Sequence, residues 1–372
     1  MRTARFSVGL VGPLPPPHGG MANQTRQLAL LLEQEGVPVE LVQVNAPYRP
    51  GFVARLRGVR AAARLVPYLG RLWRMTSRVD LIHIMANSGW SWHLFAAPAV
   101  WIAKLRGKPV VVNYRGGEAG AFFSRSMRWV APTLKRADAI VVPSGFLEGI
   151  FRRHGFTPKI VPNIVDLVRF TKRPGNPEEA AKQRRCHLLV TRNLEPLYDN
   201  ATAIRALGLI RARFPEARLT LAGTGPEEGR LRALAAQLGL SAAVTFAGAI
   251  DNERMPALYQ SAGVALNPSR VDNTPISLLE ALASGVPVVS TDVGGIPYLV
   301  TRDESALLVP PDSPHAMAEA TLKILDDERL AERLAAAGRL VARQHGWPSV
   351  RDRLLATYAH VLGKSMRGSY GS

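Results

Sequence analysis

A chain of 372 residues exceeds what one hydrophobic core usually supports, so two domains are expected. Hydrophobic residues at 47% with 20% charged residues exclude a disordered polymer, and a single cysteine, Cys186, excludes an intramolecular disulfide framework and any multi-cysteine metal site. The net charge of +18 is lopsided: 25 Lys/Arg stand against 8 Asp/Glu through residue 175, and 22 against 21 beyond it, so the first half is expected to meet something negative, either nucleic acid or an anionic membrane.

In chain order, Phe6 to Val11 reads as a buried strand and not as a signal peptide, because Gly and Pro break the apolar run. The loop GPLPPPHGG follows, then a helix from about Met21 to Glu35 with Leu28, Leu31 and Leu32 on its apolar face and Gly36 as its stop. Val39 to Val44, Leu81 to Met85, Pro109 to Asn113, Ala139 to Val142 and Lys159 to Val161 are further short strands separated by helical segments. The stretch Leu94 to Ala103 is apolar but too short to span a bilayer. Residues 171 to 185, TKRPGNPEEAAKQRR, are polar and broken by Pro and Gly, which marks a linker. A second set of strands runs through His187 to Thr191, Arg218 to Ala222, Val244 to Ala247, Val264 to Asn267 and Val286 to Ser290. Helical patterns follow Pro314, and a last helix is expected from about Ser349 to Leu362. This alternation predicts an α/β chain of two doubly wound, Rossmann-like domains, 1–170 and 186–348, followed by 349–372.

The densest chemistry lies in NPSRVDNTPISLLEALASGVPVVSTDVGG, residues 267 to 295. Asp272 sits in a loop, Asn273, Thr274, Pro275 and Ile276 at a helix start, and Glu280 eight positions after the first acid. A helix start leaves backbone N–H groups without intrahelical partners and attracts anions, a diphosphate above all. Phosphate donors flanked by two carboxylates suit a nucleotide-sugar. An ordinary βαβ unit with Glu280 as a solvated helix residue is the competing reading.

The run EALASGVPVVSTDVGG resembles the signature of retaining glycosyltransferases of family 4, in which Glu, seven residues and Glu precede EA-A-GxPVV-T-GG. Here the first acid is Asp272, one methylene shorter. The resemblance covers nearly all of the second half and is patchier in the first. It implies the GT-B fold: two Rossmann-like domains facing a cleft, the first taking the acceptor and the second the nucleotide-sugar, with the last helix crossing back to the first domain.

The resemblance also implies roles for single residues. Arg192, in LLVTRNLEP, matches the family arginine that grips the diphosphate, but Leu197 stands where a family lysine would assist it. Gly223 and Gly225 in AGTGP match a loop near the nucleotide, with a plain turn as the alternative. Gly248, Ala249 and Ile250 match a segment that reads the base through backbone groups. Gly19 and Gly20 match a glycine loop that touches the diphosphate. GxGxxG with a later acid is absent, which sets aside an NAD enzyme. Arg115, in VVVNYRGGEA, stands where many members carry a His; a guanidinium is no base near neutral pH, so Arg115 is expected to hold the leaving phosphate or an acidic acceptor, with Glu118 orienting it. A structural Arg–Glu pair is the alternative. His83 reads as a satisfied histidine at the cleft edge.

No D-x-D pair and no GxxxxGK[ST] loop occurs, so no metal or other cofactor is expected; the catalytic residues are expected to be Asp272, Arg192, Arg115 and Glu118, with Arg192, the helix-start amides and the glycine-loop amides stabilising the departing diphosphate. Arg49 to Arg74 holds seven Arg and no acid, interleaved with apolar residues; Arg55, Arg57, Arg60, Arg64, Arg71 and Trp73 form the expected membrane or acceptor face. Phe122, Phe123, Met127 and Trp129, beside Arg125 and Arg128, read as a second apolar wedge. A solvated basic helix is the alternative. The resulting expectation is a cytoplasmic transferase, peripheral at the inner face of the membrane, moving a sugar from a UDP- or GDP-sugar to a glycan or lipid-linked acceptor. No nucleic-acid partner is expected, since no stacking platform or recognition helix is evident. An epimerase or sugar phosphorylase of the same fold remains the alternative within enzymes.

Overall fold

A computed structural model of the protein describes residues 6–16, 19–47, 59–171 and 185–369, so most of the expected linker lies outside the described residues. The chain divides into two compact units, Met1–Ile164 with Val350–Ser372, and Val165–Ser349.

The first unit is built on a parallel sheet of β1 (Val8–Gly12), β2 (Val39–Gln43), β3 (Leu81–Ala86), β4 (Val110–Tyr114), β5 (Ala139–Val142) and β6 (Lys159–Ile160), in the order β2-β1-β3-β4-β5-β6. Its helices are α1 (Gly20–Gln34), α2 (Val59–Met75), α3 (Ala97–Leu105, continuous with a π-helical turn Trp92–Ala96), α4 (Ala119–Leu134) and α5 (Gly145–Arg153). Strand side chains alternate between faces. Ile82, Ile84, Val110, Val112, Tyr114, Ile140 and Val142 therefore share one face, packed with Tyr68, Leu72, Val100, Phe123 and Phe151 from α2 to α5. His83 and Asn113 share the opposite face.

The second unit holds β7 (His187–Val190), β8 (Arg218–Ala222), β9 (Val244–Gly248), β10 (Val264–Asn267), β11 (Val288–Thr291) and β12 (Leu307–Val309). Its helices are α6 (Asn200–Arg211), α7 (Glu228–Gln237), α8 (Met255–Gln260), α9 (Ile276–Ala283), α10 (Pro314–Asp326) and α11 (Glu328–Gln344). All strands are parallel, in the order β9-β8-β7-β10-β11-β12, so the winding reverses between β7 and β10. Open sheets of this kind bind ligands outside the carboxyl ends of the strands at that reversal. The final helix, α12 (Trp347–Ser369), starts before the expected Ser349, with Pro348 inside its first turn, where the missing N–H costs nothing. From Val350 on it belongs to the first unit, where Tyr358 is fully buried.

Strand ends depart from the sequence reading where proline intervenes. Pro109 and Pro287 accept through their carbonyls, from Ile82 N–H and Ala265 N–H, but have no N–H to give, so the regular strands begin one residue later, at Val110 and Val288. The three-residue β12 carries too short a pattern to stand out in the sequence.

Candidate active site

At the reversal of the second sheet, Arg192 lies two residues beyond β7 and Asp272 five beyond β10. Arg192 Nη2 meets Asp272 Oδ2 at 2.7 Å, with only 12% and 9% of the two side chains exposed. Arg192 Nη1 donates to Ser277 Oγ at 3.2 Å, and the guanidinium lies 4.0 Å over the ring of Tyr198. Its Nε is buried without a hydrogen-bond partner. Asp272 Oδ1 accepts from Asn273 N–H at 3.0 Å. Arginine suits this position because its planar fork binds oxyanions in pairs and stacks on aromatic faces.

The loops that carry these residues are locked backbone to backbone. Gly295 N–H donates to the Asp272 carbonyl at 3.1 Å, and a Cβ at Gly294 or Gly295 would overlap the carbonyl oxygens of Asp272 and Asn273. Gly294 also has φ +56°, a region L-residues rarely adopt. On the other side, Leu194 N–H donates to Thr224 O and Glu227 N–H to Leu194 O, each at 3.0 Å, and a Cβ at Gly223 or Gly225 would overlap Arg192 O or Leu194 O. The side of Gly223 and Gly225 where a Cβ would stand is therefore taken by protein. Gly248 ends β9 at φ +66° beside a β-bulge, with Ala249 exposed and Ile250 half-buried after it.

Asn273, Thr274 and Pro275 are buried and lead into α9, whose N-cap, Pro275, offers no side-chain acceptor to the first-turn amides. Ile276 is half-buried. Glu280 is no solvated helix residue. Tyr259, fully buried, donates to a fork of Glu280 Oε2 and Ser277 O, both at 3.0 Å, and meets Thr191 Oγ1 at 2.8 Å. Burial pushes the Glu280 carboxyl up to about 7, against the opposing pull of the Tyr259 hydrogen bond and of Arg169.

In the first unit, Arg115 follows β4 and binds neutral amides: its Nε donates to Asn113 Oδ1 at 3.1 Å and its Nη1 to Gln24 Oε1 at 3.2 Å and to Asn163 Oδ1. Burial lowers its pKa to about 10. Glu118 does not orient it; that side chain is exposed and pairs with none of the described residues, at the N-cap of α4. His83 is not at an edge. It is fully buried, with Nδ1 2.6 Å from Tyr358 Oη and Nε2 3.1 Å from Asn113 Nδ2, and burial together with Arg115 holds it neutral, its pKa lowered to about 3. Gly19 and Gly20 are exposed at the start of α1, with open space where a Cβ of Gly19 would stand.

Of the expected membrane face, Arg55 and Arg57 lie outside the described residues, as does the side chain of Arg60. Arg64 is half-buried on α2, while Arg71 and Trp73 are exposed. The second wedge is corrected. Phe122 and Phe123 fall on the inner face of α4 and belong to the core, Met127 packs against it, and Trp129 alone of the four is exposed, at 65%. Instead, Trp73 on α2 (45%), Trp101 on α3 (43%) and Trp129 on α4 stand out from three helices that pack in succession. Arg106 lies over Trp73 at 4.8 Å, Arg136 over Trp101 at 3.9 Å and Arg128 over Trp129 at 5.1 Å. These three helices contain no Asp or Glu, whereas α1 carries Glu33 and α12 Asp352.

Tyr198, Tyr259, Ser277, Gln24 and Asn163 are additions of the structure; the last four are lone polar or aromatic residues whose partners are distant in sequence, while Tyr198 lies six residues after Arg192. The nearest signal was Tyr198, one residue from the position of the missing lysine. Among the described residues no three His, Cys, Asp or Glu gather closely enough to hold a metal ion, and no helix is long and apolar enough to cross a membrane.

Comparison with known proteins adds to this geometry. The family described as "Glycosyltransferase Family 4" matches residues 18–169, and that described as "Glycosyl transferases group 1" matches residues 176–341. A GDP-mannose-dependent alpha-(1-6)-phosphatidylinositol monomannoside mannosyltransferase of Mycobacterium tuberculosis is 31% identical over 288 residues, spanning 71% of this chain and 74% of its own. The phosphatidyl-myo-inositol mannosyltransferase of the same organism is 29% identical over 376 residues, spanning 94% and 95%. Among solved structures, the Anabaena protein HepE in complex with UDP superposes with a TM-score of 0.73 at 18% identity, covering 95% of this chain and 100% of that one, a likeness of fold.

Proposed function

The chain belongs to glycosyltransferase family 4, with the GT-B fold, and transfers a sugar from a nucleotide-sugar donor, and we propose that it does so with retention of configuration onto a lipid-linked acceptor at an anionic membrane surface. The observation that carries the donor reading is the Arg192–Asp272 pair at the reversal point, beside the first turn of α9. A diphosphate competes with Asp272 for the guanidinium and gains the α9 amides, which frees Asp272 to face the donor sugar. Glu280 accepts from a donor hydroxyl. As the C1–O bond to phosphate breaks, the acceptor oxygen bonds C1 on the same face and its proton passes to the leaving phosphate, so no protein base is needed. Arg192 and the amides hold the developing charge without a metal ion. Full loss of activity to EDTA with restoration by Mn²⁺ would overturn that part.

Retention is supported by the relative named as a GDP-mannose-dependent alpha-(1-6) transferase, since the donor bond of GDP-mannose is itself α. The same name, with its phosphatidylinositol acceptor, makes GDP-mannose the first donor to test and a phospholipid-linked acceptor the first class. The acid-free layer of α2, α3 and α4, with its three exposed tryptophans under arginines, supports a peripheral position on the inner leaflet: Trp and Arg favour the bilayer interface, and basic groups favour anionic lipid.

The test is nucleotide release from a panel of UDP-, GDP- and ADP-sugars by the wild type, Arg192→Gln and Glu280→Gln, with the product anomer read by NMR. One donor turned over by the wild type and lost in the variants, with an α product, is expected. Release from none, or release unchanged in both variants, sinks the reading.

A further inference from the structure

The two arginines at strand ends are balanced differently. Arg192 faces a carboxylate at 2.7 Å; Arg115 faces none among the described residues. Its acceptors, Asn113, Gln24 and Asn163, are side-chain amides, and its Nη2 makes no hydrogen bond to any described residue. The amides are fixed in turn. Asn113 Nδ2 meets His83 Nε2 at 3.1 Å, and Gln24 is clamped at both ends by Ile164, accepting from its N–H at 2.8 Å and donating to its carbonyl at 2.7 Å. His83 is neutral, so the cluster carries one uncompensated positive charge held by oriented dipoles.

Amide oxygens offset the desolvation of a guanidinium without neutralising it. An arginine with a purely structural role is stabilised further by a carboxylate, and Glu118, three residues on, is not used. The position is also one where ligands bind. Arg115 leaves the carboxyl end of β4, and the loop is pressed onto the preceding one, since a Cβ at Gly116 would overlap Ser88 Oγ. Gly117 has open space where a side chain would stand. Gln24 lies one turn inside α1, whose amide end adds positive potential.

We propose that Arg115 is an anion subsite of the first unit that binds the phosphate group of the acceptor. This rests on the reading of the chain as a transferase acting on a phosphate-bearing lipid acceptor. The three amides preset the guanidinium so that one fork edge stays available for the phosphate oxygens. Arg115 thus selects acceptors by charge, whereas the donor diphosphate belongs to Arg192.

The test uses the full chain and sn-glycerol 3-phosphate as a soluble probe, with glycerol as the uncharged control and GDP or UDP as the donor-site ligand. Binding is followed by calorimetry in the wild type, Arg115→Gln, Arg115→Lys and Arg192→Gln. Glycerol phosphate affinity is expected to fall about tenfold or more in Arg115→Gln, less in Arg115→Lys, and to stay unchanged in Arg192→Gln, with the reverse pattern for the nucleotide. Should Arg115→Gln fail to fold, the Arg115→Lys affinity against wild type decides. Glycerol phosphate binding unaltered by either Arg115 change, or absent from the wild type, overturns the proposal. So does loss of nucleotide affinity in Arg115→Gln with glycerol phosphate binding intact, which would assign the charge to the donor. Failure of the transferase reading would show separately, as no nucleotide binding in the wild type.

Discussion

Arg192 and Asp272 close on each other at 2.7 Å where the strand order of the second unit reverses, so the cation best placed for a diphosphate is already occupied by a carboxylate. Removing one partner of a buried pair leaves an uncompensated charge and costs about 3–5 kcal/mol. Asp272→Ala is expected to lower the denaturant midpoint accordingly, to bind nucleoside diphosphate more tightly than wild type because the competitor is gone, and to turn over more slowly. Calorimetry and a steady-state assay on the same preparation check all three; weaker diphosphate binding would count against competition.

Gly223 and Gly225 predict a structural effect with a functional echo. Alanine at either position drives a methyl into a backbone carbonyl, which forces two loops apart. A stability loss of about 1–3 kcal/mol is expected, the range for overpacking. Donor affinity should fall with it, since the displaced loop begins at Arg192. Urea denaturation and nucleotide titration measure the two effects.

Glu280 and His83 impose opposite slopes on stability with pH. The folded chain holds a proton on Glu280 between its ordinary value of 4.5 and about 7, where the unfolded chain releases it, so stability falls as pH rises through that window. Glu280→Gln is expected to remove this slope. Donor affinity in the wild type should strengthen between about pH 6 and about pH 8, as the carboxylate ionises and becomes the better acceptor, and should be flat in the variant.

His83 acts on the acid side. Folded, its pKa is lowered to about 3 from the usual 6.5, so the unfolded chain alone takes up a proton as pH drops below 6.5. Each pH unit of acidification in that range costs about 1.4 kcal/mol. His83→Gln, which keeps hydrogen-bonding groups for Tyr358 and Asn113, is expected to flatten the decline, as followed by denaturant midpoints across the range.

The tryptophan layer predicts membrane behaviour. Trp73→Ser with Trp129→Ser is expected to reduce flotation with anionic liposomes several-fold at physiological salt, without changing donor hydrolysis in solution. Flotation equal to wild type would remove these residues from the interface, and wild type that does not float at all would remove the interface.

Much of the site was legible because its signal is local. Asp272, the α9 start and Glu280 lie within nine residues, and Arg192 follows a strand that alternation alone marks. What stayed hidden depends on distant pairing. Tyr259 reaches Glu280 across 21 positions, and Tyr198, though only six residues from Arg192, comes under it through the fold of the loop and the turn Pro196–Tyr198. The basic helices were visible as composition, but which aromatics face outward is decided by the turn of each helix against the sheet. Phe123, with no exposure, and Trp129 sit on the same helix with opposite fates. Arg115 was identifiable as a departure from the family histidine, whereas its amide cradle required residues from α1, β4 and the segment after β6 to meet.

The interlocked glycine loops restrict where donor choice can change. Around Arg192 and Asp272 a larger residue pries apart a seam of main chain, so variation there is filtered by folding before it is tested by substrate. The segment after β9 has no such seam: a methyl at Gly248 would meet nothing within 4 Å, although its positive φ keeps that residue glycine. Ala249, exposed beyond it, is thus the position there whose exchange is expected to leave the scaffold intact, whereas Ile250 packs against the core of the second unit.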